Sequence, residues 1–230
     1  MPRPSHLLCR VEDLPRAVAD YRALGFTVEW GSSPGTAGNA LIRFPAGPFL
    51  ELLTVPIPAA TPPPDAPGIY GRLGSWACGR GWIDFAVETD DDHLDDTLSR
   101  LHAAGIPCTA PAAHHRVRAD GVALSWWIAA PVDRALPFVM SAYRPAQPAP
   151  VGGGAHANGA VGVGKVVIGA RDPERARPRW ARVLGDEPMV EVVAADSDGI
   201  VRVELTGRWR PLDRALLHGA NLTIGGHPPP

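Results

Sequence analysis

The stretch Ser5-His-Leu-Leu-Cys-Arg-Val-Glu-Asp-Leu-Pro-Arg-Ala-Val-Ala-Asp-Tyr-Arg-Ala-Leu-Gly-Phe26 decides the fold. His6 to Val11 reads as a short strand. Asp13 is placed to cap a helix, because its carboxylate can accept N–H groups that the first turn leaves unpaired. Leu14, Ala17, Tyr21 and Leu24 recur at helical spacing and define one apolar face. Gly25 ends the helix as a left-handed cap. Phe26–Trp30, Ala40–Phe44 and Phe49–Val55 read as strands, separated by turns at Gly35–Asn39 and Pro45–Pro48. The order is β-α-β-β-β.

That order returns twice. Trp82–Val87 opens a second block, Asp90 to Asp92 lead into a helix carrying Leu94, Leu98 and Leu101, and Ala104-Gly105 ends it. Ile106–Ala110, Val122–Ile128 and Pro137–Tyr143 are its expected strands. Lys165–Arg171 opens a third block. Asp172-Pro173 starts its helix, Pro178 should bend or delay it, and Leu184-Gly185 closes it. Met189–Val193, Ile200–Leu205 and Asn221–Ile224 follow as strands. Asp13-x-x-Arg16-Ala17 matches Asp172-x-x-Arg175-Ala176, and Leu24-Gly25 matches Leu184-Gly185 with one residue inserted. Such a repeat outranks local propensity as a guide to fold. Pro/Gly-rich stretches from Pro56 to Gly68 and from Pro145 to Gly154 punctuate the chain. The expected division is modules over 5–55, 82–143 and 158–226, with linkers over 56–81 and 144–157 and a tail from His227. The fold class is α+β.

Composition narrows the function. The 230 residues are 45% hydrophobic and 20% charged, with a formal net charge of −2, and suffice for a sizeable core. No basic stripe points to nucleic acid. No apolar run approaches a membrane span and no signal peptide stands at the start, so a cytoplasmic setting is expected. Cys9, Cys78 and Cys108 are scattered and odd in number, neither a disulfide framework nor a thiolate metal site. The Arg, Ala, Gly and Pro bias suits a high-GC, bacterial-type genome. No Gly-x-Ser-x-Gly elbow, P-loop or dinucleotide fingerprint is present. The acidic run Glu88 to Asp92 lacks the oxygen spacing of a calcium loop and reads as a helix N-terminus.

A strand with His near its start, then Asp-Leu, a helix ending in Leu-Gly-Phe, and Leu-Glu-Leu in the last strand together resemble a vicinal-oxygen-chelate module. Gly35-Thr-Ala-Gly-Asn-Ala-Leu-Ile42, Arg80-Gly-Trp82 and His156-Ala-Asn-Gly-Ala160 resemble the glyoxalase-like proteins of the "glyoxalase 3" sequence type. The resemblance covers roughly Ser5 to Gly185. It implies two βαβββ modules paired about a pseudo-twofold axis, with curved sheets enclosing a funnel. It also implies four metal-ligand positions, one on the first and one on the last strand of each module.

In module one those positions are His6 and Glu51. Alternation puts His6 on one strand face with Leu8 and Arg10, and Glu51 with Phe49 and Leu53. A carboxylate among such neighbours needs a partner, because burying it alone is costly. Aligning Val11 with Val87 places Trp82 opposite His6, and aligning Phe49 with Phe138 places Met140 opposite Glu51; neither suits a hard metal. Module three offers Lys165. Two readings stay open. A divalent metal (Zn, Ni, Mn or Fe) is held by His6 and Glu51 with a third ligand from His114, His115, His156 or Asp84. Alternatively, His6 bonds Glu51 directly, as an acid–base pair or an anchor for a polar group.

His114-His115 reads as a loop pair. Trp126 and Trp127 take opposite faces of a strand, one expected toward the funnel. With Trp82, Met140, Asn39, Arg43 and His156 they are the candidate ligand-binding residues. The leading expectation is a small-molecule enzyme of lyase or isomerase type. It would move a proton at a carbon next to a carbonyl, with Glu51 as base or ligand and His6 as ligand or proton partner. The alternative is a drug-sequestering, resistance-type binding protein without catalysis. The expected partner is a small molecule, and a homodimer is compatible with the sequence.

Overall fold

The computed structural model describes residues 2–32, 38–56, 63 and 65–225. Residues 35–37 of the expected turn over 35–39, most of the Pro-rich run after Pro56 and the tail from His227 fall outside the described residues. In chain order the first unit is β1 (Arg3–Arg10), α1 (Leu14–Ala23), β2 (Glu29–Trp30), β3 (Asn39–Ile42) and β4 (Phe49–Leu53). Within the expected linker, a 3-10 turn (Tyr70–Arg72) and α2 (Leu73–Cys78) follow. The second unit is β5 (Gly81–Thr89), α3 (Asp95–Ala103), β6 (Ala112–Val117), β7 (Ala123–Ala129) and β8 (Phe138–Ser141). The third is β9 (Ala160–Ala170), α4 (Pro173–Leu184), β10 (Val190–Ala194), β11 (Gly199–Gly207) and β12 (Leu222–Ile224).

Local chemistry sets the helices. The Asp13 carboxylate accepts the Arg16 N–H at 2.9 Å, and Leu14, Ala17, Val18 and Tyr21 are the buried face of α1. Gly25 closes the helix at φ +86°, a conformation that costs a side chain with a Cβ. Asp91 caps α3, accepting from the Leu94 and Thr97 N–H groups. Asp172 accepts from the Arg175 N–H, and α4 continues unbroken through Pro178, which therefore neither delays nor ends it.

Two strands depart from expectation. The one expected from Phe26 starts only at Glu29, because the Thr27 N–H goes to the His156 ring and the Thr27 hydroxyl to the Ala155 carbonyl. The one expected over Ile106–Ala110 makes only an isolated bridge, Cys108 to Pro131, since Pro107 and Pro111 carry no N–H to donate. The real strand is β6, and His114-His115 sit in it rather than in a loop.

The first two units share one eight-stranded sheet of order β2-β3-β4-β1-β5-β8-β7-β6. The first strand of each unit pairs parallel with its last, and β1 pairs antiparallel with β5 at the centre. The registers His6↔Phe49, Ala86↔Phe138 and His6↔Ala86 define a pseudo-twofold relation. Under it the counterpart of His6 is Ala86, not Trp82, because β5 runs on to Thr89 before its helix. Met140 keeps its place opposite Glu51. The sheet curls until its far edges meet: the Arg116 guanidinium of β6 donates to the Gly31 carbonyl beside β2 at 2.7 Å.

The third unit repeats the βαβββ order along the chain but not in space. Its sheet runs β10-β9-β11-β12, with β10 beside β9, whereas the other units place their last strand beside their first. It adds to the larger apolar core, where Phe85 stacks on Trp180 and the Tyr21 hydroxyl donates to the Leu217 carbonyl. The opposite sheet face holds a smaller core around Leu8, Trp76, Ala86, Phe138 and Met140. No described helix is long and apolar enough to cross a membrane.

Candidate functional site

Strand alternation aims side chains from six strands into one cavity of about 130 Å³ inside the curl. His6 and Leu8 come from β1, Asn39 and Leu41 from β3, and Phe49, Glu51 and Leu53 from β4. The second unit contributes His114 and Arg116, Trp126 and Ile128, and Phe138 and Met140. Ile69 and Trp76, before and within α2, cover it, and Tyr143 closes one side.

The polar groups are concentrated on the first unit. Glu51 accepts from the Asn39 amide at 2.5 Å on one oxygen and faces the His6 Nε2 at 3.2 Å with the other. Its burial is thus matched by two partners. The His6 ring stacks on Phe49 at 4.7 Å, and its Nδ1 lies 3.1 Å from the Ser5 hydroxyl. Burial pushes the His6 pKa down; Glu51 and Asp84 oppose this, while Arg116 adds to it. The ring is therefore neutral near pH 7. Nε2 stands within ion-pair range of the Glu51 carboxylate, and Nδ1 stands within hydrogen-bond distance of the Ser5 hydroxyl. Arg116 reaches the Asn39 amide oxygen at 3.5 Å, extending the chain Arg116–Asn39–Glu51–His6–Ser5.

The rest of the lining is aromatic or apolar. Trp126 meets Tyr143 edge to face at 5.0 Å and stacks with His114 at 6.1 Å. Burial, and then the Glu51 charge, raises the Tyr143 pKa and keeps the phenol neutral. Burial, and then His115, lowers that of His114, whose Nε2 is buried without a hydrogen-bond partner.

Thus Glu51, His6, Asn39, Trp126 and Met140 come together, and the remaining candidates do not. Trp127 packs on the larger core and meets His93 edge to face at 5.4 Å. The Trp82 indole donates to the Asn221 carbonyl at 3.1 Å, tying the third unit to β5. Arg43 pairs with Glu29 at 2.8 Å and donates to the Pro148 and Ala149 carbonyls. His156 stands between Phe26 and Phe44, with Nδ1 accepting from Thr27.

The same geometry tests a metal at His6 and Glu51. Their twofold counterparts, Ala86 and Met140, offer a methyl group and a thioether. Asp84 is committed to Arg72 at 2.8 Å, to the Trp76 indole and to the Phe85 N–H. His115 follows His114 in an extended strand and so projects to the other face, and His156 lies elsewhere. Among the described residues no group of three or more His, Cys, Asp or Glu could hold a metal ion. His114 lines the same cavity, but its ring stacks with Tyr70 and Trp126 and it joins no such group with His6 and Glu51. Two donors do not make the three-ligand site of catalytic zinc, so the residues present do not fit one.

Arg116, Tyr143 and Trp76 were not among the sequence candidates, and His114 was one only as a possible metal ligand. Assigning His114 to a loop hid both it and Arg116, which an alternating strand over 112–117 puts on one face. Tyr143 lies past the end of β8, where alternation no longer applies.

The family model of the glyoxalase-like domain matches residues 5–184. No curated protein sequence matches the chain. Among solved structures, a hypothetical protein from Staphylococcus aureus superposes with TM-score 0.72 at 10% identity, over 97% of this chain and 99% of that one. An Mn(II)-bound glyoxalase from Novosphingobium aromaticivorans gives 0.52 at 12% identity, over 90% and 67%. A variant 4-hydroxymandelate synthase from Streptomyces coelicolor gives 0.51 at 14%, over 90% and 71%. At these identities the structural likeness is one of fold.

Proposed function

We propose, from the premise that this chain belongs to the glyoxalase-like domain family, that the cavity is the active site of a lyase- or isomerase-type enzyme. Its substrate is a small oxygenated organic molecule, and Glu51 is the general base. One observation carries this reading: a single carboxylate, oriented by His6 and Asn39, faces an otherwise largely aromatic and apolar cavity. Such a group is positioned for proton transfer and shielded from bulk water. The Glu51 carboxylate takes a proton from the carbon beside a carbonyl. The C–H electron pair moves onto the carbonyl oxygen as an enolate, and the neutral Tyr143 hydroxyl donates a hydrogen bond to that oxygen. Glu51 then returns the proton to a neighbouring atom in an isomerisation, or the enolate expels a β-substituent in an elimination. The donor set suits no metal.

The assay is loss of the α-hydrogen signal in D2O, followed by proton NMR, with hydroxyacetone, phenylacetone and phenylpyruvate. The protein should accelerate exchange of at least one above the buffer rate, and Glu51→Gln should lower that acceleration by about 10²-fold or more. Exchange equal in Glu51→Gln and the parent protein would sink the role of base. A second reading, sequestration without catalysis, draws on the fact that both Glu51 oxygens already have a partner, the Asn39 amide on one and the His6 Nε2 facing the other. Under it no substrate exchanges, and Glu51→Ala keeps most of its ligand affinity.

A further inference from the structure

We infer that the ligand of this cavity is an anion, a small monocarboxylate with an aromatic or apolar body, and that Arg116 receives its carboxylate. The inference rests on the cavity being a ligand site, as proposed above, and adds the chemical class. Among the described residues, Arg116 is the only Lys or Arg lining the cavity. It also lines an outer cleft of about 430 Å³, with Arg43 and Arg118. Its head therefore stands where the outer cleft meets the inner cavity.

The three arginines differ in one respect. Arg43 is paired with Glu29 and Arg118 with Asp120, but Arg116 has no carboxylate partner among the described residues. It spends one nitrogen, Nη1, on the Gly31 carbonyl and the Asn39 amide oxygen. Nε–H and the Nη2 hydrogens have no protein acceptor among the described residues, and neither nitrogen is a buried atom without a partner. This leaves the side-on edge of the guanidinium, whose two parallel N–H groups match the two oxygens of a carboxylate. The held edge fixes the plane of the head, so the free edge is pre-oriented.

The body of the ligand follows from the remaining walls. Trp126, Phe49, Phe138 and Trp76 offer ring faces and edges around the cavity. A cavity on the order of 150 Å³ holds a benzene-sized group, and this one is close to that at about 130 Å³. A ring inside and a carboxylate at Arg116 fill both environments.

The test uses benzoate, which has no α-hydrogen, and its neutral isostere benzamide. Both are titrated against the intact protein by calorimetry and by tryptophan fluorescence, which Trp126 and Trp76 report. Benzoate should bind at least about tenfold more tightly than benzamide. Arg116→Met should weaken benzoate by roughly 10- to 100-fold and leave benzamide unchanged. Arg116→Lys, which keeps the charge but loses the fork, should fall between. Equal affinity for the two ligands in the parent protein overturns the assignment without any variant. So does full benzoate affinity in a folded Arg116→Met. Because benzoate cannot be deprotonated at carbon, its binding can succeed while isotope exchange fails, and the reverse. The charge class and the proton chemistry therefore stand or fall separately.

Discussion

Asp84→Leu should be the most damaging single change in the second unit. Arg72 is 4% exposed and Asp84 7% at their side chains, and they meet at 2.8 Å. Arg72 also donates to the Leu136 and Pro131 carbonyls, and Asp84 accepts from the Trp76 indole and the Phe85 N–H. Removing the carboxylate leaves a buried guanidinium uncompensated, which costs about 3–5 kcal/mol. At roughly 2–4 °C per kcal/mol for a chain of this size, the melting temperature should drop by about 6–20 °C. The double variant Arg72→Met with Asp84→Leu removes the charge together with its partner and should recover about 2 kcal/mol. Full recovery is not expected, since the Trp76 and Phe85 donors stay orphaned at about 1 kcal/mol or more each. Differential scanning calorimetry and urea unfolding measure both. A loss below about 1 kcal/mol in the single variant, or a double variant less stable than the single, would refute the reasoning. Trp76 is also cavity wall, so Asp84→Leu should weaken ligand binding as well.

Burial lowers the pKa of His6, His114 and His156, so the unfolded chain binds protons that the folded chain refuses. Stability is then complete above the unfolded value of about 6.5 and falls as pH drops below it; a urea midpoint constant from pH 7 to 5 would contradict this. Zn, Ni or Mn salts should leave the melting temperature unchanged, because only two donors converge; a saturable rise of several degrees would overturn the reading of the donor set. Gly31→Ala would drive a Cβ to 1.9 Å from the Asn39 amide oxygen and 2.5 Å from Arg116 Nη1. It should cost about 1–3 kcal/mol and loosen benzoate binding, and parent-like values in both measurements would discount the edge closure.

The fold was legible where residues act locally. Asp13, Gly25 and Asp172 are single-residue punctuation, and their repetition revealed the units before any contact was known. Glu51 was legible because a charged residue amid Phe49, Leu50, Leu52 and Leu53 demands a partner. What was not legible depends on register. Whether Trp82 or Ala86 answers His6 turns on where β5 stops, and a shift of four residues leaves the alternation pattern intact. The third unit shows the same limit: its order of elements is visible in the chain, but which strand lies beside β9 is decided by packing against the larger core. Arg116 escaped notice because β6, Ala-Ala-His-His-Arg-Val, is polar enough to read as a loop.

The contrast between Glu51 and its counterpart Met140 has a stereochemical consequence. A carbon held in the cavity would meet a proton acceptor on one side and, across the pseudo-twofold, the Met140 thioether, which cannot accept a proton. Removal and return of hydrogen are then confined to the same face of a planar intermediate. Under the proposed chemistry, such a cavity should make one hand of a new stereocentre. Running the reaction in D2O and reading the configuration at the labelled carbon should give a single enantiomer, and a racemic label would mean that the two halves of the sheet are chemically less unequal than they look.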